Sequence, residues 1–68
     1  MKDWVCIFTS TSQQSSEMIK GLLVHNEINA VVISKQDSSY AMFGEFEVYV
    51  NRDDAVKAKY VLKENNIE

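Results

Sequence analysis

Apolar residues recur along the chain with two different spacings, which together predict strand, helix, strand, strand and helix. The strand-like segments cover residues 4–9, 30–35 and 46–50; they are rich in β-branched and aromatic residues, and the last has a clear two-residue period. The helix-like segments have apolar positions three and four residues apart, the spacing of one buried face. One helix follows residue 12, and the other covers about residues 52–65.

The first helix is predicted to begin at Ser12, whose hydroxyl suits an N-cap. Thr11 is the alternative, because Gln14 would then complete a capping box three residues later. Asn26 is expected to adopt the left-handed conformation that often ends a helix. Gly21 is expected to let the helix approach the sheet closely. The predicted buried face consists of Met18, Ile19, Leu22 and Leu23.

The third strand and the second helix each have one apolar face. Phe46, Val48 and Val50 are predicted to face the helices and to be heavily buried. Asn51 suits the N-cap of the second helix, because two aspartates follow in the first turn, where the helix dipole favours negative charge. The predicted buried stripe of the second helix consists of Ala55, Ala58, Val61 and Leu62.

The order of elements predicts an α+β fold, a ferredoxin-like (split β-α-β) plait made of one domain over residues 1–68. A right-handed crossover makes the first two strands parallel and places the third between them. The expected sheet order is first–third–second, with both helices on one face. A full fourth strand is lacking, so the first strand is expected to be an uncharged edge, which invites pairing with another strand.

Composition and charge narrow the classes of partner. Seven Lys and Arg stand against ten Asp and Glu, a formal net charge of −3. Because such a surface repels phosphate groups and anionic lipid, we expect neither nucleic acid nor membrane as a partner. Cys6 is the only cysteine, and the N-terminus has no long apolar run. These features predict a cytoplasmic protein without an internal disulfide.

The residues that could support catalysis are few and scattered. His25 is the only histidine and lies in the last turn of a predicted helix, where a cationic side chain favours the dipole. Cys6 lies within a strand and is expected to be a small buried hydrophobe. Asp53 and Asp54 are explained by capping. We therefore expect no enzyme, no cofactor and no metal site.

Three groups of residues are candidates for binding. The first strand and the uncovered sheet face are expected to contact a protein partner or a second copy, which favours a homodimer. The apolar cluster in the hairpin connection 36–44 is either a lid on the core or an exposed contact. The candidate partner-binding residues of these first two groups are Trp4, Cys6, Ile7, Phe8, Tyr40, Met42, Phe43 and Tyr49.

The third group is the turn between the first strand and the first helix. Its free amides could receive a small anion, although ordinary helix capping explains the same residues and is favoured, because no basic residue lies nearby. The turn consists of Thr9, Ser10, Thr11 and Ser12.

One pattern of residues runs through 17–23, 28–32 and 48–50, continues at Asp53, Asp54, Ala55 and Ala58, and so covers nearly the whole chain. This pattern resembles that of a small bacterial family described as "putative prokaryotic signal-transducing protein". The resemblance implies regulatory binding and supplies no catalytic residue. Glu27 stands where members usually have glycine, and Asn29 where proline is common, so Asn26 is expected to take over the helix stop.

Two functional hypotheses follow from the sequence. The leading one is a regulatory or adaptor domain that works through protein contacts or self-association, for which the family resemblance implies a part in signal transduction. The alternative is a regulatory domain that senses a small molecule bound between subunits. This second hypothesis rests on the behaviour of other domains with a plait fold, and fold alone does not define function.

Overall fold

The computed structural model describes residues 3–36 and 44–67. It confirms the predicted order of elements, with predicted boundaries within two residues of the observed ones except at the start of the second helix, which a 3₁₀ turn precedes. The elements are β1 (Trp4–Ser10), α1 (Gln13–His25), β2 (Ala30–Gln36), β3 (Gly44–Asn51), a 3₁₀ turn (Arg52–Asp54) and α2 (Ala55–Glu64).

The three strands form one sheet in the order β1-β3-β2, as predicted. Both outer strands are antiparallel to β3 and are therefore parallel to each other. Val50 of the central strand is paired with Val5 on one side and with Ala30 on the other. The fold is α+β, with the helix α1 connecting the two parallel strands.

The core is a single apolar cluster between the sheet and the two helices. Residues of both helices share this cluster with Val48 and Val50 of β3, which are both fully buried. Both helices therefore cover the same face of the sheet, and the opposite face is left without a helix in the described part of the chain. The cluster consists of Ile19, Leu23, Ile28, Ala30, Val48, Val50, Ala58, Val61 and Leu62.

Two predictions about α1 are wrong. Met18 is 65% exposed, because the buried stripe is centred on Ser16, Ile19 and Leu23, and Met18 lies about 100° around the helix from Ile19. Gly21 was expected to approach the sheet, but it is exposed, and a Cβ built on it would meet nothing within 4 Å.

The prediction for Phe46 is also wrong. Val48 and Val50 are fully buried, whereas Phe46 is only half-buried and does not pack against the core cluster. Its cross-strand neighbours are Ser10 and Ser34. The apolar surface of the helices therefore does not extend to this end of the sheet.

The start of α1 is held by hydroxyl groups, and Ser12 is the N-cap, as predicted. Its Oγ accepts a hydrogen bond from the Ser15 amide at 3.1 Å. Ser16 is fully buried, and its Oγ donates to the Ser12 carbonyl at 3.1 Å. The buried hydroxyl of Ser16 therefore has a hydrogen-bond partner, and its burial leaves no polar group unpaired. Asn51 caps the 3₁₀ turn by accepting from the Asp53 amide at 2.9 Å.

The residue that ends α1 in the left-handed conformation is Glu27 (φ 64°), whereas Asn26, predicted for this role, has φ −94°. Asn26 instead donates a side-chain hydrogen bond from Nδ2 to the Leu22 carbonyl at 2.8 Å. The amides of Glu27 and Ile28 donate to the carbonyls of Val24 and Leu23, both at 2.9 Å. This pair of bonds is a Schellman motif, which requires positive φ at its penultimate residue.

The end of α2 repeats the same arrangement. Asn65 Nδ2 donates to the Val61 carbonyl at 2.8 Å, and Asn66 has φ 58°. The Ile67 amide donates to the Leu62 carbonyl at 2.9 Å, and its side chain packs against the core. The two helices thus stop with the same sequence of contacts but with different residues, glutamate and asparagine, in the left-handed position.

Candidate interaction surface

A β-bulge in β1 decides which side chains point away from the helices. Cys6 is paired with Tyr49 and Phe8 with Val48, so Ile7 is an extra residue on the β1 side. Such an insertion shifts the alternation of side chains by one position. Consequently Val5, Ile7 and Phe8 all pack against the core cluster.

The open face, as we name the side of the sheet opposite the helices, carries a patch of aromatic and aliphatic residues. Its central row runs from Cys6 through Tyr49 to Val31, and the next row from Thr9 through Glu47 to Ile33. The alternation along β1 places Trp4 on the same side. Trp4, Val31, Ile33 and Tyr49 are half-buried, and none of them packs against the core cluster.

Of the predicted contact residues in β1, Trp4 and Cys6 therefore share the open face with Tyr49. Ile7 and Phe8 belong to the helix-covered side instead, because the bulge intervenes. The open face also includes Val31 and Ile33, which had not been predicted as contact residues.

Glu47 is a carboxylate set among these apolar residues. Its side chain is 14% exposed, and Oε1 accepts a hydrogen bond from the Tyr49 hydroxyl at 3.0 Å. Lys35, 67% exposed, lies with its Nζ 3.9 Å from the same oxygen, a surface ion pair that contributes little to stability. The hydrogen bond to Glu47 raises the pKa of Tyr49 above its usual value.

Cys6 is exposed, and the prediction that it is buried is wrong. The reason is its place opposite Tyr49, on the side of β1 that faces away from the helices. Its Sγ donates to the Phe8 carbonyl at 3.5 Å. Partial desolvation raises the pKa of the thiol, and the carboxylates of Glu47 and Glu45 act in the same direction. Since the thiolate is the reactive form, Cys6 is a weak nucleophile at neutral pH.

The free edge, as we name the outer side of β1, presents unpaired backbone groups. The Arg52 amide donates to the Asp3 carbonyl at 2.7 Å, which makes Asp3 and Arg52 a hydrogen-bonded pair at the end of the ladder. Hydrogen-bonded pairs alternate along antiparallel strands, so Val5 is the next residue of β1 to bond β3. The amides and carbonyls of Trp4 and Cys6 therefore point to the free edge, where no strand of the described residues pairs with them.

The hydroxyls of the turn before α1 are engaged in capping. Ser10 Oγ accepts from the Ser12 amide at 3.0 Å, and Ser12 Oγ accepts from Ser15 as described above. Thr9 and Thr11 are exposed. The geometry is that of a capped helix start, and nothing in it adds support for an anion site.

A polar depression of about 270 Å³ lies at the other end of the sheet. Its lining groups already serve the ladder and the cap, through the Asp3 carbonyl and the Asn51 side chain. Ligand sites in proteins are mostly lined by apolar side chains, whereas this depression is lined by Asp3, Asn51, Arg52 and Asp53.

The predicted contact residues Tyr40, Met42 and Phe43 lie outside the described residues. Within residues 3–36 and 44–67, no group of three or more His, Cys, Asp or Glu side chains is arranged to hold a metal ion. No helix in these ranges is both long and apolar enough to cross a membrane.

The fold and the surface together define a small α+β domain with one helix-covered face and one open face. Residues 4–66 match the family model described as "Putative prokaryotic signal transducing protein", and the chain belongs to this family. Neither a curated protein nor a solved structure matches the chain. The family description refers to signal transduction and leaves mechanism and partners undefined.

Proposed function

We propose that the protein is a non-enzymatic regulatory domain that acts through protein contacts, first of all by self-association along β1. The observation that carries this proposal is the position of the free edge beside the open face. Unpaired backbone groups of Trp4 and Cys6 adjoin an apolar patch that includes Tyr49, Val31 and Ile33. The family description agrees with a regulatory role.

The residues of β1 support this role for physical reasons. Exposed sheet edges are normally protected by charged side chains, by proline or by bulges. Between Trp4 and Ser10 the strand has no charge and no proline, and its one protective feature is the bulge at Ile7. The stretch before the bulge is therefore open to pairing, and aromatic residues such as Trp4 are enriched in protein interfaces.

Sedimentation analysis at high micromolar concentration tests the proposal directly, with a dimer expected. Cys6→Lys should then weaken association by more than about tenfold, because it places a charge where the free edge meets the open face. Thr9→Lys is the matched control, since Thr9 is exposed on the same strand and the same side but lies beyond the bulge. Ile7→Lys is unsuitable, because Ile7 packs against the core and its replacement would damage folding.

A monomer at all concentrations would overturn self-association. If neither Cys6→Lys nor Thr9→Lys weakens association, the contact lies elsewhere on the molecule, and equal weakening by both would mean that the contact extends past the bulge. A thermal-shift screen with nucleotides and amino acids provides the complementary test, because a ligand that binds the folded state raises the melting temperature. A clear gain with one compound class would replace this proposal by that of a small-molecule sensor.

A further inference from the structure

We propose that two copies pair through antiparallel β1 strands about a two-fold axis at Val5, so that their sheets join into one continuous sheet. This inference rests on the proposed self-association and adds its register. Antiparallel pairing is the arrangement that two-fold symmetry gives to identical edges. Each partner in such a contact presents the same residues, which are those of the free edge.

The backbone limits the possible registers. Trp4 and Cys6 are the β1 residues before the bulge whose backbone groups point outward, by the alternation that starts from the Asp3–Arg52 bond. Residues that bond across the new interface must therefore be taken from this pair. A two-fold axis at Trp4, at Val5 or at Cys6 satisfies this condition. An axis between two residues does not, because it would place a residue whose backbone groups point outward opposite one whose groups point toward β3.

The bulge and the side chains select the axis at Val5 among these three. An axis at Cys6 would set Trp4 opposite the partner's Phe8, which lies beyond the register shift. An axis at Trp4 would set Cys6 opposite position 2 of the partner, outside β1, so only Trp4 of the two outward residues would be bonded. With the axis at Val5, each Trp4 lies beside the partner's Cys6, so a large side chain adjoins a small one and both outward residues of each copy are bonded.

Charge is compatible with a second copy as the occupant of this edge. Between Trp4 and Ser10 no charged side chain exists, so the pairing brings no like charges into opposition. The one charged residue of the paired stretch, Asp3, falls opposite the partner's Ile7. Two molecules of net charge −3 can therefore meet here without local repulsion.

Single cysteines at successive positions report the axis, because a residue on the axis meets its own copy. Val5 in the two copies would form a pair without backbone bonds, with Cα atoms about 4.5 Å apart, within the range of a disulfide. The Cα atoms of Cys6 in the two copies would be roughly 8 Å apart, since they are offset both along and across the strands. This exceeds the Cα–Cα limit of about 7 Å for a disulfide. The test compares the wild type with Val5→Cys, Trp4→Cys and Thr9→Cys, each of the three in a Cys6→Ser background.

Under mild oxidation, with each protein at a concentration at which sedimentation shows that it forms dimers, Val5→Cys/Cys6→Ser should form a covalent dimer in high yield. The wild type, Trp4→Cys/Cys6→Ser and Thr9→Cys/Cys6→Ser should each form at least tenfold less. A cross-linked wild type would move the axis to Cys6, and a cross-linked Trp4 variant would move it to Trp4. Either result overturns the register while leaving self-association intact, whereas a monomer in sedimentation overturns the proposed function itself.

Amide hydrogen exchange of the wild type gives a second measurement that needs no substitution. The Trp4 and Cys6 amides should exchange at least tenfold more slowly at dimer-forming concentration than in dilute solution, because they become hydrogen-bonded only in the pair. The Val5 amide already bonds β3 and should change much less. Equal and unprotected exchange of Trp4 and Cys6 in a demonstrated dimer would exclude pairing at the free edge, whatever the folding of the cysteine variants.

Discussion

The two faces of the sheet are built from similar residues but do different things. On the helix-covered face, Val48 and Val50 are fully buried and belong to the core cluster. On the open face, Val31 and Ile33 are β-branched as well but are only half-buried and lie outside that cluster. The comparison shows that β-branched residues on both sides of a strand do not imply cover on both sides. One face stabilises the fold, and the other leaves its apolar side chains partly exposed.

The largest expected effect is on the covered face. Val48→Ala should lower the free energy of unfolding by roughly 1–2 kcal/mol, through lost burial and the remaining cavity. Val31→Ala is the matched control on the open face and should cost less than about half as much. Urea unfolding at low protein concentration measures both. Equal losses of unfolding free energy in the two variants would show that the open face, like the helix-covered face, is covered in solution.

The next effect concerns association. Trp4→Ser should weaken self-association by more than about tenfold, because tryptophan residues in the centre of an interface often dominate its energy. The control is Tyr60→Ser, which removes a large aromatic side chain from α2. Tyr60 is 63% exposed, and its replacement should leave association unchanged. Sedimentation equilibrium of the two variants makes the measurement. If Tyr60→Ser has the larger effect, the helix side of the molecule is the interface.

A smaller effect is expected in the chemistry of Cys6. Because desolvation raises the pKa of this thiol, less thiolate is present at pH 8 in the folded protein than in the unfolded chain. Alkylation by iodoacetamide should therefore be slower in the native state than in urea, although the residue is exposed. The rate should rise with pH to a midpoint above the usual thiol value. Faster reaction of the native protein would contradict the partial desolvation of Cys6.

The smallest effect is the titration of Tyr49. Its pKa is raised by the hydrogen bond to Glu47, so Glu47→Gln should lower the pKa, as followed by NMR of the Tyr49 ring. The folded-state pKa lies above the unfolded value of about 10. The associated stability is therefore complete below that value and is lost as the pH rises through the folded-state pKa. An unchanged pKa in Glu47→Gln would show that the hydroxyl does not bond this carboxylate.

The sequence predicted the fold because periodicity reports which side of an element is buried. The spacing of Ile19 and Leu23 and of Ala58 and Leu62 was sufficient to define both helices. It could not define the width of the buried stripe, which depends on how a helix rests on the sheet, and Met18 was therefore misplaced.

The candidate surface was only partly predictable, because side-chain direction in β1 depends on pairing. Trp4, Cys6 and Tyr49 were named from the sequence, and they lie together on the open face. The bulge at Ile7 was missed, since two adjacent apolar residues in a strand can indicate either a bulge or a strand buried on both sides. A strand without the bulge would have Phe8 on the same side as Cys6. The sequence alone therefore could not separate the residues of β1 on the open face from those on the helix-covered face.

The end of α1 has a consequence for how readily the chain could change. Glutamate in the left-handed conformation costs more than glycine would, so Glu27→Gly should raise the free energy of unfolding by about 1 kcal/mol. Asn66→Gly should raise it less, because asparagine tolerates this conformation. Position 27 lies on neither sheet face, so stability gained there could offset a destabilising substitution on the open face. The glutamate thus leaves room for the open face to diversify without loss of the fold.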